Sequence, residues 1–281
     1  MKYYTLNNGL QIPAVGLGTW QITDRDVMKA VLDRACREGY RLIDTAAAYS
    51  NEIAIAKAIM AAGIDRKELL ISDKVWNTFR GYDAVQEACK KSLKKLKTDY
   101  LDIYLIHWPA SKKLYPDWAE INAETWRGME KLYRDGYVRA IGVCNFKAHH
   151  LEELAKSEEI TPCIDQVEFH PGYRQEELMQ YCLEHAILLE ASSPLGNGQI
   201  LEYDTIKKIA SDHGKSAAQI CLGWALQKGA AVIPKTTDPE RLIQNLDVFD
   251  FVLTSEEMRD LDSVPYCGGL GLDSDEVTEF G

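Results

Sequence analysis

Residues 69–107, LLISDKVWNTFRGYDAVQEACKKSLKKLKTDYLDIYLIH, hold two apolar runs with an amphipathic stretch between them. Leu70-Ile71-Ser72-Asp73-Lys74 and Ile103-Tyr104-Leu105-Ile106-His107 read as strands, and Asp83 to Leu96 reads as the helix that joins them. Lys90, Lys91, Lys94, Lys95 and Lys97 fall at helical spacing beside Leu93 and Leu96, the pattern of a solvated helix face. Strand, crossover helix and strand make one parallel β/α unit.

The same rhythm continues in both directions. Strand-like runs begin at Val15, Arg41, Leu69, Leu101, Val138, Ile164, Ile187 and Ala231. Between them lie helical patterns at Asp24 to Glu38, Glu52 to Ala62, Ala123 to Asp135, Ala148 to Lys156 and Gln175 to His185, with a pair across Thr205 to Gln227. Continuous apolar strands need cover on both faces, so eight of them in this order predict an α/β fold, a closed (β/α)8 TIM barrel. Met1 to Gly9 reads as the first arm of a β-hairpin that closes the bottom of the barrel. Asp24 and the Asp238-Pro239 pair suit helix starts, and Gly39, Gly63 and Gly136 suit the left-handed positions after helices. No Ser/Gly-rich linker or repeat divides residues 1–281, which predicts a single barrel domain.

Composition narrows the function classes. The chain carries 32 Lys plus Arg against 43 Asp plus Glu, a formal net charge of −11, which argues against a nucleic-acid partner. No apolar run is long enough to cross a bilayer, so no membrane association is expected. The seven cysteines are odd in number and form no C-x-x-C pair, which points away from a disulfide framework and from structural zinc. With no export signal at its start, the chain is expected in the cytoplasm.

In a parallel barrel the active site lies at the C-terminal ends of the strands, and that rule isolates a small set. Asp44 ends the second strand, Lys74 the third and His107 the fourth, while Tyr49 lies five residues beyond Asp44. A nearby ammonium favours a phenolate, so Lys74 is expected to lower the Tyr49 pKa, with Asp44 keeping Lys74 charged. His107 suits hydrogen-bond donation to a carbonyl oxygen on which charge is building. Together the four suit protonation of the alkoxide formed when a carbonyl is reduced. Barrel position alone equally allows a buried Asp44–Lys74 ion pair and a core histidine. No G-x-G-x-x-G follows a strand, which removes the Rossmann route to a dinucleotide. Residues 235–241 instead place Lys235, Thr236 and Arg241 where the last strand meets a helix, and free N–H groups there suit a 2′-phosphate.

The segments Gly18-Thr19-Trp20, Asp44-Thr45-Ala46 with Tyr49 and Asn51-Glu52, and Ser72-Asp73-Lys74-Val75-Trp76 resemble the aldo-keto reductase family. So do Leu105-Ile106-His107-Trp108-Pro109, Ile141-Gly142-Val143-Cys144-Asn145-Phe146, Gln166-Val167-Glu168-Phe169-His170-Pro171 and Val232-Ile233-Pro234-Lys235. They stand in the family's order over nearly the whole chain, and look most like its prokaryotic diketogluconate-reductase-like branch. The resemblance implies a monomeric barrel that uses NADPH/NADP+ on small-molecule carbonyl substrates, with Tyr49 as general acid and Asp44, Lys74 and His107 as its partners.

It also implies the cofactor contacts. Cys144, Asn145, Gln166 and Ser192 fall at the nicotinamide, and the Pro194-Leu195-Gly196 loop at the pyrophosphate. Lys235, Thr236 and Arg241, with Thr237 between them, form the phosphate clamp, and Gln244 and Asn245 meet the adenine. Four positions depart from the family's usual choices: Cys144 for serine, Asp165 for asparagine, Gln244 for glutamate, and Ser192 for an aromatic that stacks on the nicotinamide. The last removes a stacking surface and predicts a nicotinamide held less tightly or by a residue from elsewhere.

Trp20, Trp76, Trp108, Tyr115 and Trp118 are candidates for the substrate-pocket wall, with Ala48 leaving space beside Tyr49. The loop after His107 and the tail from Tyr266 to Gly281 are expected to set the substrate. His149 and His150 read as surface residues and His170 as structural, and no metal is expected from the His/Cys/Asp spacing. Two rivals share these residues: an alcohol or imine oxidoreductase, and a non-catalytic NADPH-sensing subunit. Four intact catalytic positions argue against the sensor, whereas the alcohol or imine oxidoreductase would use the same groups.

Overall fold

Two three-residue strands, β1 (Tyr3–Thr5) and β2 (Gln11–Pro13), pair antiparallel as the expected hairpin in the computed structural model, which describes residues 1–276. Leu6 and Ile12 of this hairpin join Leu42, Ile103, Leu105 and Ile164 in one buried apolar cluster. Asn7 Nδ2 donates to the Pro162 carbonyl at 3.0 Å and Asn8 Nδ2 to that of Arg139 at 2.9 Å. Both carbonyls belong to segments just ahead of barrel strands, so the hairpin plugs the end at which the strands begin.

Eight parallel strands follow: β3 (Leu17–Gly18), β4 (Leu42–Asp44), β5 (Leu70–Val75), β6 (Ile103–Ile106), β7 (Ile141–Cys144), β8 (Ile164–Glu168), β9 (Leu188–Ser192) and β10 (Ala231–Val232). Each pairs with its neighbour in chain order. The sheet closes on itself where Gly16 N donates to Val232 O at 2.8 Å, Val232 N to Ala14 O at 2.9 Å and Gly18 N to Pro234 O at 3.1 Å. A side chain at residue 18 would not fit this seam, because a Cβ there would stand 2.8 Å from the Ile233 carbonyl oxygen. The expected (β/α)8 barrel is therefore the observed one.

Helices α1 (Arg25–Glu38), α2 (Glu52–Ala62), α3 (Tyr82–Leu96), α4 (Trp118–Arg134), α5 (Ala148–Leu154), α6 (Glu176–Glu184), α7 (Asp204–His213), α8 (Ala217–Gln227), α9 (Pro239–Leu246) and α10 (Ser255–Asp262) wrap the sheet. The expected caps form: the Asp24 side chain accepts from Asp26 N and Val27 N, Pro239 opens α9, and Gly39, Gly63 and Gly136 take φ of 101°, 67° and 80°. Two helices differ from expectation. The fourth begins at Trp118, five residues before Ala123, because Trp118 packs its ring against α5 (5.3 Å to the His150 ring) and holds an extra turn. The last, α10, lies beyond the last helix expected, although Thr254 and Glu257 form a capping box that announces it. All seven cysteines are free thiols.

Strand alternation decides what faces the barrel interior. Register places Asp44 beside Ser72, and Cys144, Gln166, Glu190 and Ala231 in one row across β7 to β10. Ile43, Val75, Tyr104, Val143, Val167 and Ala191 face outward, into the layer where Trp126 and Trp224 pack under the helices.

Candidate active site

At the C-terminal ends of β4 and β5, Lys74 Nζ sits 2.7 Å from both oxygens of Asp44 and 2.9 Å from the Thr45 carbonyl. Lys74 is wholly buried, so this ion pair, not solvent, carries its charge. Burial works against that charge, but Asp44 and then Tyr49 outweigh it and hold the ammonium above the ordinary lysine range. Tyr49 follows in a short 3-10 turn (Ala47–Tyr49), with the Lys74 ammonium 5.2 Å from its ring centroid. His107 stands against it edge to face, with 5.8 Å between the ring centroids, and against Trp76 at 5.2 Å. The four residues singled out by strand position are thus one assembly.

Their proton affinities differ from expectation at one group. Burial pushes the Tyr49 hydroxyl above the usual tyrosine range, and Lys74 only opposes this, so the tyrosine is not shifted downward. Burial and then the Lys74 charge push His107 well below its usual value, which leaves a neutral ring. His107 Nδ1 is buried without a hydrogen-bond partner.

A second tier supports these groups. Gln166 Nε2 donates to Asp44 Oδ1 at 2.9 Å and to Glu190 Oε2 at 2.7 Å, tying β8 and β9 across the barrel to β4. Asn145 adopts a left-handed φ of 61°, which turns its Nδ2 onto the His107 carbonyl at 2.9 Å. Cys144 is buried beside it, and burial pushes its thiol well up despite Lys74, so it is not a nucleophile.

All of this opens into one cavity of about 1020 Å³. Asp44, Tyr49 and His107 stand on its wall with Trp20, Ala48, Trp76 and Trp108. Cys144, Asn145, Gln166, Ser192, Pro194 and Leu195 continue the wall, and Lys235 and Arg241 complete it. A nicotinamide dinucleotide fits this cavity: the volume is large enough, and amide groups and cations both stand on its wall. Lys235 is exposed and forms no ion pair among the described residues. The helix start contributes less than expected, because Asp238 Oδ1 accepts from Glu240 N at 2.9 Å and Arg241 N at 3.4 Å. Thr236 Oγ1 likewise accepts from Asp238 N, so side-chain charge, not free N–H groups, marks this end.

Several expected contacts lie off the cavity wall. Gly196, Thr236, Thr237, Gln244 and Asn245 do not line it; Thr237 and Gln244 are exposed, whereas Asn245 is on the buried face of α9. Tyr115 does not line the cavity either; the Arg80 guanidinium stands 5.7 Å from its ring and donates to the Trp108 and Pro109 carbonyls. Trp118 faces His149 and His150 instead. Asp165 points outward in the row of Val143 and Leu189, wholly buried, so it does not reach a nicotinamide. Of the tail, Leu270, Leu272 and Ser274 line the cavity, and residues 277–281 lie outside the described residues.

His150 is buried, not a surface residue, and the fold brings it to Asp275. His149 Nε2 and His150 Nε2 stand 3.1 and 3.2 Å from Asp275 Oδ1, the one group among the described residues with metal-ligand proximity. Its chemistry opposes a metal. His150 Nδ1 accepts from Lys147 N at 3.1 Å, which puts the ring proton on Nε2, and the Lys147 ammonium already lies 2.7 Å from the same carboxylate. The cluster is a latch that pins the tail to the start of α5. His170 is structural, wholly buried with Nε2 2.9 Å from Glu168 Oε1. Sequence reading missed Glu190, although Ser192 facing inward places Glu190, two residues earlier, on the same face.

The model of the aldo/keto reductase family matches residues 14–265. The chain is 46% identical over 272 residues to a glyoxal reductase of Bacillus subtilis (strain 168), covering 97% of this chain and 96% of that one. It superposes on an aldo-keto reductase from a Medee basin deep-sea metagenome library with a TM-score of 0.91 at 39% identity, covering 98% of this chain and 100% of the other. A Gox0644 variant solved in complex with NADPH gives a TM-score of 0.90 at 35% identity and covers 99% of each chain.

Proposed function

The chain belongs to the aldo/keto reductase family, and from that premise we propose that it is an NADPH-dependent reductase of small aldehydes and ketones with Tyr49 as its general acid. The observation that carries this reading is the wholly buried Lys74 ammonium between Asp44 and Tyr49. When bound, the reduced nicotinamide supplies the hydride. His107, neutral at physiological pH, donates a hydrogen bond to the carbonyl oxygen and orients it. Tyr49 holds its proton until charge develops on that oxygen, then transfers it, because an alkoxide is a stronger base than a phenolate. The Lys74 ammonium stabilises the phenolate left behind, and Asp44 keeps that ammonium in place. A tyrosine raised by burial stays protonated at neutral pH, which favours reduction over alcohol oxidation.

Asn145 and Gln166 offer amide groups to the carboxamide, while Lys235 and Arg241 supply the charge for a 2′-phosphate and so favour NADPH over NADH. The indole walls of Trp20, Trp76 and Trp108 suit compact or aromatic carbonyl compounds, and the glyoxal reductase relative puts dicarbonyls first on a test panel. Free thiols fit a reducing cytoplasm, and the family resemblance is the support for a monomer.

The test is loss of NADPH absorbance over a panel of aldehydes, dicarbonyls, keto sugars, steroids and cyclic imines. Turnover on at least one carbonyl is expected, reduced about 10²- to 10⁴-fold in Tyr49→Phe with NADPH affinity retained. Tight NADPH binding without turnover on any carbonyl overturns the reading in favour of a sensor, and better activity with NADH overturns the assignment of Lys235 and Arg241.

A further inference from the structure

Gln166 is held by two carboxylates at once. Its amide nitrogen has two protons, and Asp44 Oδ1 at 2.9 Å and Glu190 Oε2 at 2.7 Å take both. Gln166 nevertheless lines the cavity, and the polar atom it offers there is Oε1, a pure acceptor that takes only a long contact of 3.8 Å from the Cys144 thiol and keeps a lone pair for a ligand. Glu190 makes this arrangement obligatory. It is wholly buried on β9, and among the described residues no cation is bonded to it and its second oxygen, Oε1, has no hydrogen-bond partner. A buried carboxyl with half its capacity unused and no ion pair is costly to keep unless it serves the site.

We propose that Glu190 is a positioning residue of the cofactor site: it fixes Gln166 with its carbonyl oxygen toward the cavity, and its carboxylate biases binding toward the oxidised nicotinamide. This rests on the reading of the cavity as a nicotinamide site. Gln166 held this way accepts from the carboxamide NH₂ of the cofactor, which selects one orientation of the carboxamide and so one face of the ring. The charge effect follows from the same geometry. Asp44 and Lys74 form one ion pair, and Glu168, two residues further along β8 on the cavity wall, is bonded to His170, so an ionised Glu190 adds behind Gln166 a negative charge that no cation pairs among the described residues. The oxidised nicotinamide carries a positive charge that the reduced form lacks, and only the oxidised form gains from that carboxylate.

The bias is switched by pH within a working range. Burial first, then the Asp44 charge, raises the Glu190 carboxyl to about 7, with the Gln166 hydrogen bond opposing. Other groups facing it titrate elsewhere: Lys74 is held above the ordinary lysine range, and Cys144 well above its own. Tyr49 is likewise raised and His107 lies well below its usual value. Asp73, also near 7, faces the opposite side of the sheet. As pH rises through about 7, Glu190 loses its proton and the oxidised cofactor is favoured more. Both cofactor forms carry the same phosphates, so phosphate titration cancels in the ratio of their dissociation constants.

The experiment measures Kd for NADP+ and NADPH by protein fluorescence at pH 6, 7 and 8 in the wild type, Glu190→Gln and Glu190→Asp. In the wild type the ratio Kd(NADP+)/Kd(NADPH) is expected to fall about 3- to 10-fold from pH 6 to pH 8. Glu190→Gln flattens that dependence and keeps the ratio at its acidic value. Glu190→Asp keeps a charge but loses reach to Gln166, so it retains a pH dependence while weakening both cofactors. A wild-type ratio that does not change with pH overturns the proposal without any variant, as does a Glu190→Gln profile that matches the wild type. Failure of the wild type to bind either cofactor overturns the site reading itself, a different outcome from binding without the bias.

Discussion

Asp44 and Asp102 are both buried carboxylates with basic partners, at opposite ends of the barrel. Asp102, just before β6, has both oxygens filled: Arg66 Nη2 at 2.7 Å and Ile71 N at 3.0 Å on one, Arg139 Nη1 at 2.9 Å on the other. Its two arginines reach the surface, so their charges keep part of their hydration. Asp44, at the end of β4, is matched to a lysine with no exposure at all and shares an oxygen with Gln166. Around Asp102 every partner is accounted for; around Asp44 the His107 Nδ1 and Glu190 Oε1 atoms are buried and unused. A closed network holds the base of the fold together, whereas an incomplete one leaves polar capacity for a ligand.

Breaking both ends is the strongest test of this contrast. Lys74→Met is expected to lower kcat by about 10²- to 10⁴-fold, because it removes the charge that stabilises the Tyr49 phenolate. Asp102→Ala leaves a buried strand N–H without its acceptor and two arginines that hydrate only in part, and is expected to lower stability by about 1 to 3 kcal/mol in urea unfolding. Its kcat per folded molecule should equal that of the wild type. An Asp102→Ala enzyme that folds but turns over as slowly as Lys74→Met would abolish the division between the two ends.

Asp73 sharpens the same contrast, since it is a neighbour of Lys74 in sequence but faces outward, away from the cavity. Wholly buried, it is raised to about 7 by burial first and Glu52 second. An acid whose folded pKa is raised binds a proton that the unfolded chain has already released between about pH 4 and pH 7. Its ionisation therefore costs stability as pH rises through that window, and the loss is complete above pH 7. Asp73→Asn is expected to stabilise the protein at pH 8 by on the order of 1 to 4 kcal/mol, with little effect at pH 4. Thermal melts at the two pH values measure this. Equal shifts at both would sink the argument, and a fall in kcat would show that Asp73 belongs with the active end.

What the sequence made legible follows from the same division. Asp44, Lys74 and His107 were readable because a parallel barrel gathers the C-terminal ends of its strands, so position along a strand already implies proximity. The hairpin, the eight strands and the caps of α1 and α9 depend on local chemistry and were equally readable. Contacts between distant segments were not. His150 meets Asp275 across 125 residues, Tyr115 packs against Arg80 off the cavity wall, and Trp118 gains a helical turn by packing on α5. Asp165 shows a subtler limit: its neighbour Gln166 belongs to the site, but a strand turns successive side chains to opposite faces.

The smallest effect concerns the wall opposite the tetrad. Ser192 ends β9 on the cavity wall, two residues beyond Glu190 on the same face, and Ser193 follows with a left-handed φ of 43°. A serine there offers a hydroxyl and little surface, whereas an aromatic ring at that position would present a flat face to the cavity. Stacking of that kind contributes about 0.5 to 1.5 kcal/mol beyond the area it buries. Ser192→Tyr is therefore expected to lower the Kd for NADPH about 2- to 10-fold, measured by fluorescence titration. Because the ring acts on the nicotinamide face and Glu190 through charge, the ratio of NADP+ to NADPH affinity should keep its pH dependence in this variant. An unchanged or weaker Kd would mean that the wall is already filled by another side chain, and that serine is no deficit at this position.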